Sequence, residues 1–128
     1  MGDRANVYVK NTDTQGVFLY SHWGGTELPA TVQKALKRKA RWDDEQYLAR
    51  IIFDTMTDGR AGDTGFGISA VIGDNSYPII YLDCRTQEIG FAAEPGPNVA
   101  PERPKEMIPF AKFIEQDARW PSANSDGE

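Results

Sequence analysis

The sequence has a single cysteine, a single histidine and no long apolar run among its 128 residues. The lone cysteine, Cys84, cannot form a disulfide within the chain, and the lone histidine, His22, excludes HExxH zinc motifs, which need two histidines. No run approaches the roughly 20 apolar residues that a membrane-spanning helix requires. The opening residues MGDR also lack the basic and apolar regions of a signal peptide. We therefore expect a cytoplasmic protein without a membrane span.

Basic residues are in the minority. The chain has 14 Lys and Arg against 19 Asp and Glu, which gives a net charge of −5. Nucleic-acid binding depends on basic side chains that replace the counterions of phosphates, so this acidic composition argues against a nucleic-acid partner. The basic run KALKRKAR, at residues 34–41, has no interleaved aromatic residues and is typical of the solvated end of a helix. The acidic excess lies in residues 65–128 and fits solubility or a basic partner.

Two short runs rich in β-branched and aromatic residues predict a β-hairpin: ANVYVK at residues 5–10 and GVFLYSH at residues 16–22. Two helices are expected next. Thr26 is the expected N-cap of the first, and Asp43 with Gln46 forms a capping box for the second. Apolar stripes at helical spacing support both helices: Leu28, Val32, Ala35 and Leu36 in the first, and Leu48, Ile51, Ile52 and Met56 in the second.

Three further strand-like runs lie at residues 66–73, 77–84 and 88–94, and their short separations predict a three-stranded meander. The element order ββααβββα predicts a single α+β domain, in which an antiparallel sheet of about five strands packs two central helices on one face. The opposite face then carries an aromatic surface that a ligand, a partner or the C-terminal helix must cover. Its expected members are Tyr8, Phe18, Tyr20 and Tyr81.

The chain divides into four predicted segments. Residues 1–94 form the core domain, and residues 95–104, with four prolines, form an extended connector. Residues 105–118 form a C-terminal helix that docks on the core, and residues 119–128 form a flexible polar tail.

The run FLYSHWGGTELP, at residues 18–29, places the only histidine, a tryptophan and two glycines between a strand and a helix. Glycines before a helix let an anion approach the unpaired amides of the first turn, and the aromatic rings add a stacking surface. The same residues are typical of an ordinary tight turn, because neither GxxxxGK[ST] nor GxGxxG is present. The candidate site for a nucleotide-like ligand, with two arginines as phosphate partners, comprises Tyr20, His22, Trp23, Gly24, Gly25, Thr26, Arg41 and Arg50.

Catalytic and metal sites have weaker support. His22 and Cys84 would have to act as base and nucleophile, with Asp83 orienting the base, but a cysteine in the apolar run PIIYLDC is more often buried and inert. Asp54, Asp58 and Asp63 flank a glycine-rich loop, yet their spacing is not that of an EF-hand. We predict no catalytic residues, no metal and no cofactor.

Several runs together resemble a group of short uncharacterised proteins of bacteria and their phages. The resemblance rests on VFLYSHWGGTELP, RWDDEQYLARIIFDTMT, GFGIS and YPIIYLD, covers roughly residues 5–92, and continues to a C-terminal segment like PFAKFIE. It implies a phage or mobile-element setting. It implies no activity and no site residues.

Three functional hypotheses follow. The first is a non-enzymatic binding protein that sequesters a nucleotide-like small molecule and so antagonises host defence. The second is an acidic inhibitor or structural component that binds a host or phage protein, and the third is an enzyme that uses His22. Exposed sheet edges would also permit a homodimer. The acidic residues of the second hypothesis are Asp74, Asp83, Glu88 and Glu94.

Overall fold

The computed structural model describes residues 3–12, 15–58, 65–73 and 75–121. These residues form a single α+β domain, as predicted. The strands are β1 (Ala5–Thr12), β2 (Gln15–Ser21), β3 (Phe66–Ser69), β4 (Ile79–Asp83), β5 (Glu88–Ala92) and β6 (Met107–Pro109). The helices are α1 (Leu28–Leu36), α2 (Glu45–Thr57) and α3 (Phe110–Phe113), and a 3-10 turn at Gly25–Glu27 precedes α1.

The six strands form one mixed sheet, so the predicted antiparallel sheet of about five strands is wrong. The strand order is β3-β2-β1-β4-β5-β6, and β1 runs parallel to β4, with Val7 opposite Ile80. β3 pairs with the outer edge of β2 instead of forming a meander with β4. The segment between β3 and β4 must therefore cross the sheet, which a separator as short as DNS does not reveal.

Asn6 holds this crossing segment in place. Its side chain is fully buried on β1. The Asn6 Oδ1 accepts a hydrogen bond from the Gly73 amide at 3.1 Å, and its Nδ2 donates to Asn75 Oδ1 at 3.2 Å. Because buried polar groups are almost always hydrogen-bonded, Asn6 fixes the crossover against the face of the sheet that lies opposite the helices.

The main core lies between the two long helices and the sheet. Side chains alternate across a strand, so Ala5, Val7 and Val9 of β1 all face the helices. Every residue of the two predicted apolar stripes is buried in this core. The stripes therefore identify the inward faces of α1 and α2 correctly.

The starts of both helices differ from the expected positions. Asp44, and not Asp43, caps α2, because its side chain accepts from the amide of Gln46 at 3.1 Å. Thr26 lies within the 3-10 turn, and Glu27 occupies the N-cap position of α1. In both cases the cap is displaced by one residue along the chain.

Aromatic side chains fill the opposite face of the sheet. Tyr8, Phe18 and Tyr81 are buried there, with ring centroids 4.9 Å apart for Tyr8 and Phe18 and 5.5 Å apart for Tyr8 and Tyr81. Ile72 of the crossing segment and Ala100 of the connector pack against them. The chain thus covers this face with its own irregular segments and not with the C-terminal helix.

A sixth strand lies within the residues assigned to the C-terminal helix. β6 pairs antiparallel with β5, with Ile108 opposite Ile89, and α3 begins only after Pro109, whose backbone is extended. Phe110 and Phe113 of this short helix are buried in the main core. Three residues are too few for a period-2 pattern, so the sequence does not reveal β6.

Candidate functional site

Six of the predicted site residues lie together at the corner where β2 ends and the 3-10 turn begins. The amides of this corner already have acceptors. The Gly24 amide donates to Ser21 Oγ at 3.0 Å, the Gly25 amide to the Asp3 carbonyl at 2.7 Å, and the Thr26 amide to Asp3 Oδ2 at 2.7 Å. The Asp3 carboxylate therefore occupies the position that an incoming phosphate would need.

Other parts of the chain close the same corner. The Tyr77 hydroxyl donates a short hydrogen bond to the Asp3 carboxylate, and this bond, together with those from Thr26, lowers the pKa of Asp3. Tyr77 stacks on Trp120 with ring centroids 4.5 Å apart, and Trp120 Nε1 donates to the Gly25 carbonyl at 2.7 Å. Trp120, which the sequence analysis assigned to the tail, thus contacts the corner directly. Residues 122–128 of that tail lie outside the described residues.

His22 and Trp23 are engaged by their neighbours. The Tyr20 hydroxyl lies 3.0 Å from His22 Nδ1, to which Arg4 Nε also donates at 3.4 Å. The Trp23 ring meets His22 edge-on at 4.6 Å and covers Gly65, where a Cβ would collide with the indole. The corner is a hydrogen-bonded turn with one exposed indole at its surface.

The two arginines predicted as phosphate partners have acidic partners of their own on or beside α2. The Arg41 guanidinium lies 4.4 Å from the centre of the Tyr47 ring and 3.9 Å from the Asp44 carboxylate. The Arg50 Nη1 lies 2.5 Å from Asp54 Oδ2. The structure thus brings six of the eight candidate residues together and engages both cations elsewhere.

His22 and Cys84 lie at opposite ends of the sheet. β2 ends level with Ala5 of β1, whereas β4 ends level with Lys10, and five residues of strand separate those levels by roughly 17 Å. Cys84 is also buried, and burial, together with carboxylates at the start of α2, raises the pKa of its thiol to about 12. This separation gives a base and nucleophile pair no geometric basis.

Asp83, which is buried at the end of β4, is the centre of an ion-pair network. Its carboxylate lies 2.6 Å from Arg103 Nη1 and 3.4 Å from Lys10 Nζ, and it accepts hydrogen bonds from the amides of Arg85 and Thr86. Burial by itself raises the pKa of Asp83, but the amide bonds and the Lys10 charge outweigh it, and the pKa is lowered. The network therefore holds Asp83 ionised.

This network also attaches the connector to the sheet. Arg103 of the connector pairs with Glu88 at 2.5 Å as well as with Asp83, and Glu94 accepts from Asn75 Nδ2 at 3.0 Å. Asp74 lies outside the described residues. The described acidic residues of the protein-binding hypothesis thus have partners within the chain.

A cavity of about 590 Å³ lies at the open edge of β2. β3 pairs with β2 only over residues 18–21, so within the described chain no strand covers the outer edge of β2 at residues 15–17. The cavity, called here the edge cavity, extends around that edge from the groove beneath α2 to the opposite face. Its apolar walls include Val9, Val17, Ala49, Phe53, Ile68 and Val99. Besides Tyr8, its polar side chains are Asn11, Gln15, Glu45, Gln46, Arg50 and Asn98.

Tyr8 and Gly16 line the edge cavity on the face opposite the helices. Tyr8 is 1% exposed, and its hydroxyl is the one buried side-chain polar atom among the described residues that has no hydrogen-bond partner. Gly16 provides room for it, because a Cβ at this position would lie 2.6 Å from the Tyr8 hydroxyl oxygen. Burial, and secondarily the nearby Tyr81, raises the pKa of Tyr8 to about 12. The hydroxyl is therefore protonated at neutral pH.

The sequence predicts Tyr8 only as a member of an aromatic face and does not indicate Gly16 as a site residue. Of the eight predicted site residues, only Arg50 lines the edge cavity. The edge cavity exists because the long strand β2 lies beside the shorter strand β3. The sequence does not show which strand pairs with β3, so it does not indicate the cavity.

Metal and membrane features complete the description. In the described ranges, no group of three or more His, Cys, Asp or Glu side chains is placed to hold a metal ion. Asp63, beside the glycine-rich loop, lies outside the described residues. No helix in those same ranges has the length and apolar character needed to span a bilayer. Comparisons with protein-family models, with curated proteins and with solved structures found no match to this chain.

Proposed function

We propose that this protein is a non-enzymatic binding protein that holds a small organic molecule in the edge cavity. The observation that carries the proposal is the Tyr8 hydroxyl, which is buried in the cavity wall without a partner among the described residues. Native proteins pair nearly all of their buried polar groups, and an unpaired buried hydroxyl costs about 1–3 kcal/mol. A ligand that bonds this hydroxyl would recover that free energy.

The size and walls of the edge cavity support the same conclusion. Its volume of about 590 Å³ falls within the range of small-molecule pockets, which is about 300–1,000 Å³. Ile68 and Val99 in its walls are 60% and 58% exposed. Apolar side chains left open to water around a concave site favour an occupant that covers them.

Binding is favoured over catalysis by the groups that surround the edge cavity. A tyrosine with a pKa of about 12 is not a base at neutral pH, and neither His22 nor Cys84 is among the described lining residues. Sequestration of the ligand against host defence is part of the proposal and rests on the resemblance to phage and bacterial proteins. The acidic docking hypothesis and the homodimer stay predictions.

N-phenyl-1-naphthylamine, an uncharged dye that fluoresces more strongly in apolar surroundings, tests the proposal. The wild-type protein should bind one equivalent of dye. Ala49→Leu extends a larger side chain from α2 into the cavity and should raise the dissociation constant by about tenfold or more, because the added volume leaves less room for the rings. Ala49→Val should act in the same direction with a smaller effect.

Ala30 provides the matched control, since it is exposed on α1 and is not among the lining residues. Ala30→Leu adds the same atoms at the surface and should bind the dye as the wild type does. Near-ultraviolet circular dichroism identifies the variants that keep the native packing. The proposal is wrong if the wild type shows no saturable dye binding, or if folded Ala49→Leu binds the dye as well as the wild type.

A further inference from the structure

The charges around the edge cavity determine the class of ligand that it accepts, and this inference rests on the proposed function. Among the described lining residues only Glu45 and Arg50 have an acidic or basic side chain of the Asp, Glu, Lys and Arg types. Glu45 is the first residue of α2, where the positive end of the helix dipole stabilises its negative charge. Arg50 is paired with Asp54 at 2.5 Å in an exposed ion pair, so Asp54 offsets part of its positive charge.

An anionic ligand therefore finds no cation without an acidic partner in the described wall. A carboxylate or phosphate that leaves water for an apolar cavity loses its hydration, and this loss is large unless a positive partner replaces the water. If Arg50 turned away from Asp54 to provide that partner, the unpaired Asp54 carboxylate would remain near the ligand. The lining thus disfavours nucleotides and carboxylates.

Uncharged hydrogen-bonding groups are abundant at the same place. The described lining residues of the edge cavity include four carboxamides, and each has both a donor and an acceptor group. The Tyr8 hydroxyl adds a buried donor on the opposite face. A planar ligand with a carbonyl next to an N–H matches this set, since a carboxamide can donate to the carbonyl and accept from the N–H. The four carboxamides are Asn11, Gln15, Gln46 and Asn98.

We propose that the edge cavity is specific for an uncharged planar aromatic or heteroaromatic ligand with a carboxamide or lactam group, and that it rejects the anionic analogues of that ligand. Phe53 and Val17 form apolar walls for the ring. The Tyr8 hydroxyl is covered in the ligand-free protein, so the wall beside Gly16 shifts when the hydroxyl donates to the ligand carbonyl. A nucleobase or nucleoside has this chemistry, whereas its phosphorylated form does not.

Naphthalene-2-carboxamide and naphthalene-2-carboxylate share one ring system and differ in charge, so they test the inference. Both compounds compete against N-phenyl-1-naphthylamine on the wild-type protein. The carboxamide should displace the dye at a concentration lower by about tenfold or more. Equal displacement, stronger displacement by the carboxylate, or no displacement by either compound overturns the inference. The proposed function survives each of these results if dye binding still depends on Ala49.

Asp54→Asn provides a second test, because it should affect the carboxylate and not the carboxamide. The variant releases Arg50 from its partner, so it should improve competition by the carboxylate by about threefold or more and leave the carboxamide unchanged. Asp117→Asn is the matched control, because it removes the partner of the exposed Arg119 and neither residue lines the cavity. It should change neither compound. An equal gain for the carboxylate in both variants would reveal a general charge effect and overturn the inference.

Discussion

Replacing Tyr8 with phenylalanine should make the ligand-free protein more stable. The ring keeps its contacts with Phe18 and Tyr81, at centroid distances of 4.9 and 5.5 Å, and the variant loses only a buried hydroxyl that lacks a partner among the described residues. Because such a hydroxyl costs about 1–3 kcal/mol, Tyr8→Phe should raise the free energy of unfolding by about 1 kcal/mol or more. For a chain of 128 residues this corresponds to roughly 3–5 °C in Tm.

Thermal and urea denaturation followed by circular dichroism, without ligand, measure this change. Tyr47→Phe is the matched control, because Tyr47 is 46% exposed on α2 and the loss of its hydroxyl should alter stability by less than about 0.5 kcal/mol. A decrease in the stability of Tyr8→Phe by about 1 kcal/mol would refute the reasoning, since it would mean that the hydroxyl makes a native hydrogen bond.

Ligand binding by the same variant should change with the opposite sign. Tyr8→Phe removes the donor to the ligand carbonyl, so competition by naphthalene-2-carboxamide should weaken by about tenfold. The dye, which has no carbonyl, should bind as before. If Tyr8 only fills space, Tyr8→Phe should raise stability and leave the binding of both ligands unchanged, which would contradict the proposed hydrogen bond.

Two further predictions concern carboxylates that hold parts of the fold together. The folded-state pKa of Asp83 lies below its ordinary value of 3.8. The stabilising effect of Asp83 is therefore complete above that value and is lost as the pH falls through and below it. Asp83→Asn should lower stability by about 2 kcal/mol at pH 7 and lessen the fall in Tm on acidification, whereas parallel Tm curves for the variant and the wild type from pH 7 to pH 3 would contradict the assigned network. Asp3→Ala removes the acceptor of the Thr26 amide and should lower stability by about 1 kcal/mol. In thermal denaturation at matched ionic strength, inorganic phosphate should stabilise this variant more than it stabilises the wild type. Equal stabilisation of the two proteins would show that Asp3 does not occupy an anion site.

The helices could be predicted because their signals are local. The stripe Leu48, Ile51, Ile52 and Met56 recurs at helical spacing within one segment, and all four residues are buried. The cap of α2 lies one residue later than the sequence predicts, because Asp43 and Asp44 are chemically equivalent in the sequence, whereas in the structure Asp43 lies in a turn and the backbone of Asp44 is extended.

The sheet could be predicted only in part, because strand pairing depends on distant contacts. The predicted strand at residues 66–73 forms β3 only at Phe66–Ser69, and nothing in its sequence indicates that β3 lies beside β2 and not beside β4. The buried Asn6 that holds the crossover reads as an ordinary polar residue of a hairpin. Its partners, Gly73 and Asn75, lie nearly 70 residues away along the chain.

The candidate site, like the sheet, could be predicted only in part. The glycines of the corner indicate a turn before a helix, and the structure has one there. The sequence does not indicate that Asp3 occupies the amides of the turn, since this depends on where the first residues of β1 lie. The edge cavity depends on the four-residue length of β3 beside the seven-residue β2, and on the position of Tyr8 above Gly16.

An amide-resolved NMR titration of the wild-type protein with naphthalene-2-carboxamide tests the central claim most directly, because it distinguishes the edge cavity from the corner. The account predicts saturable shift changes concentrated at Gly16, Ala49 and Val99. Shift changes concentrated at Gly24 and Thr26, or no saturable changes, would contradict it.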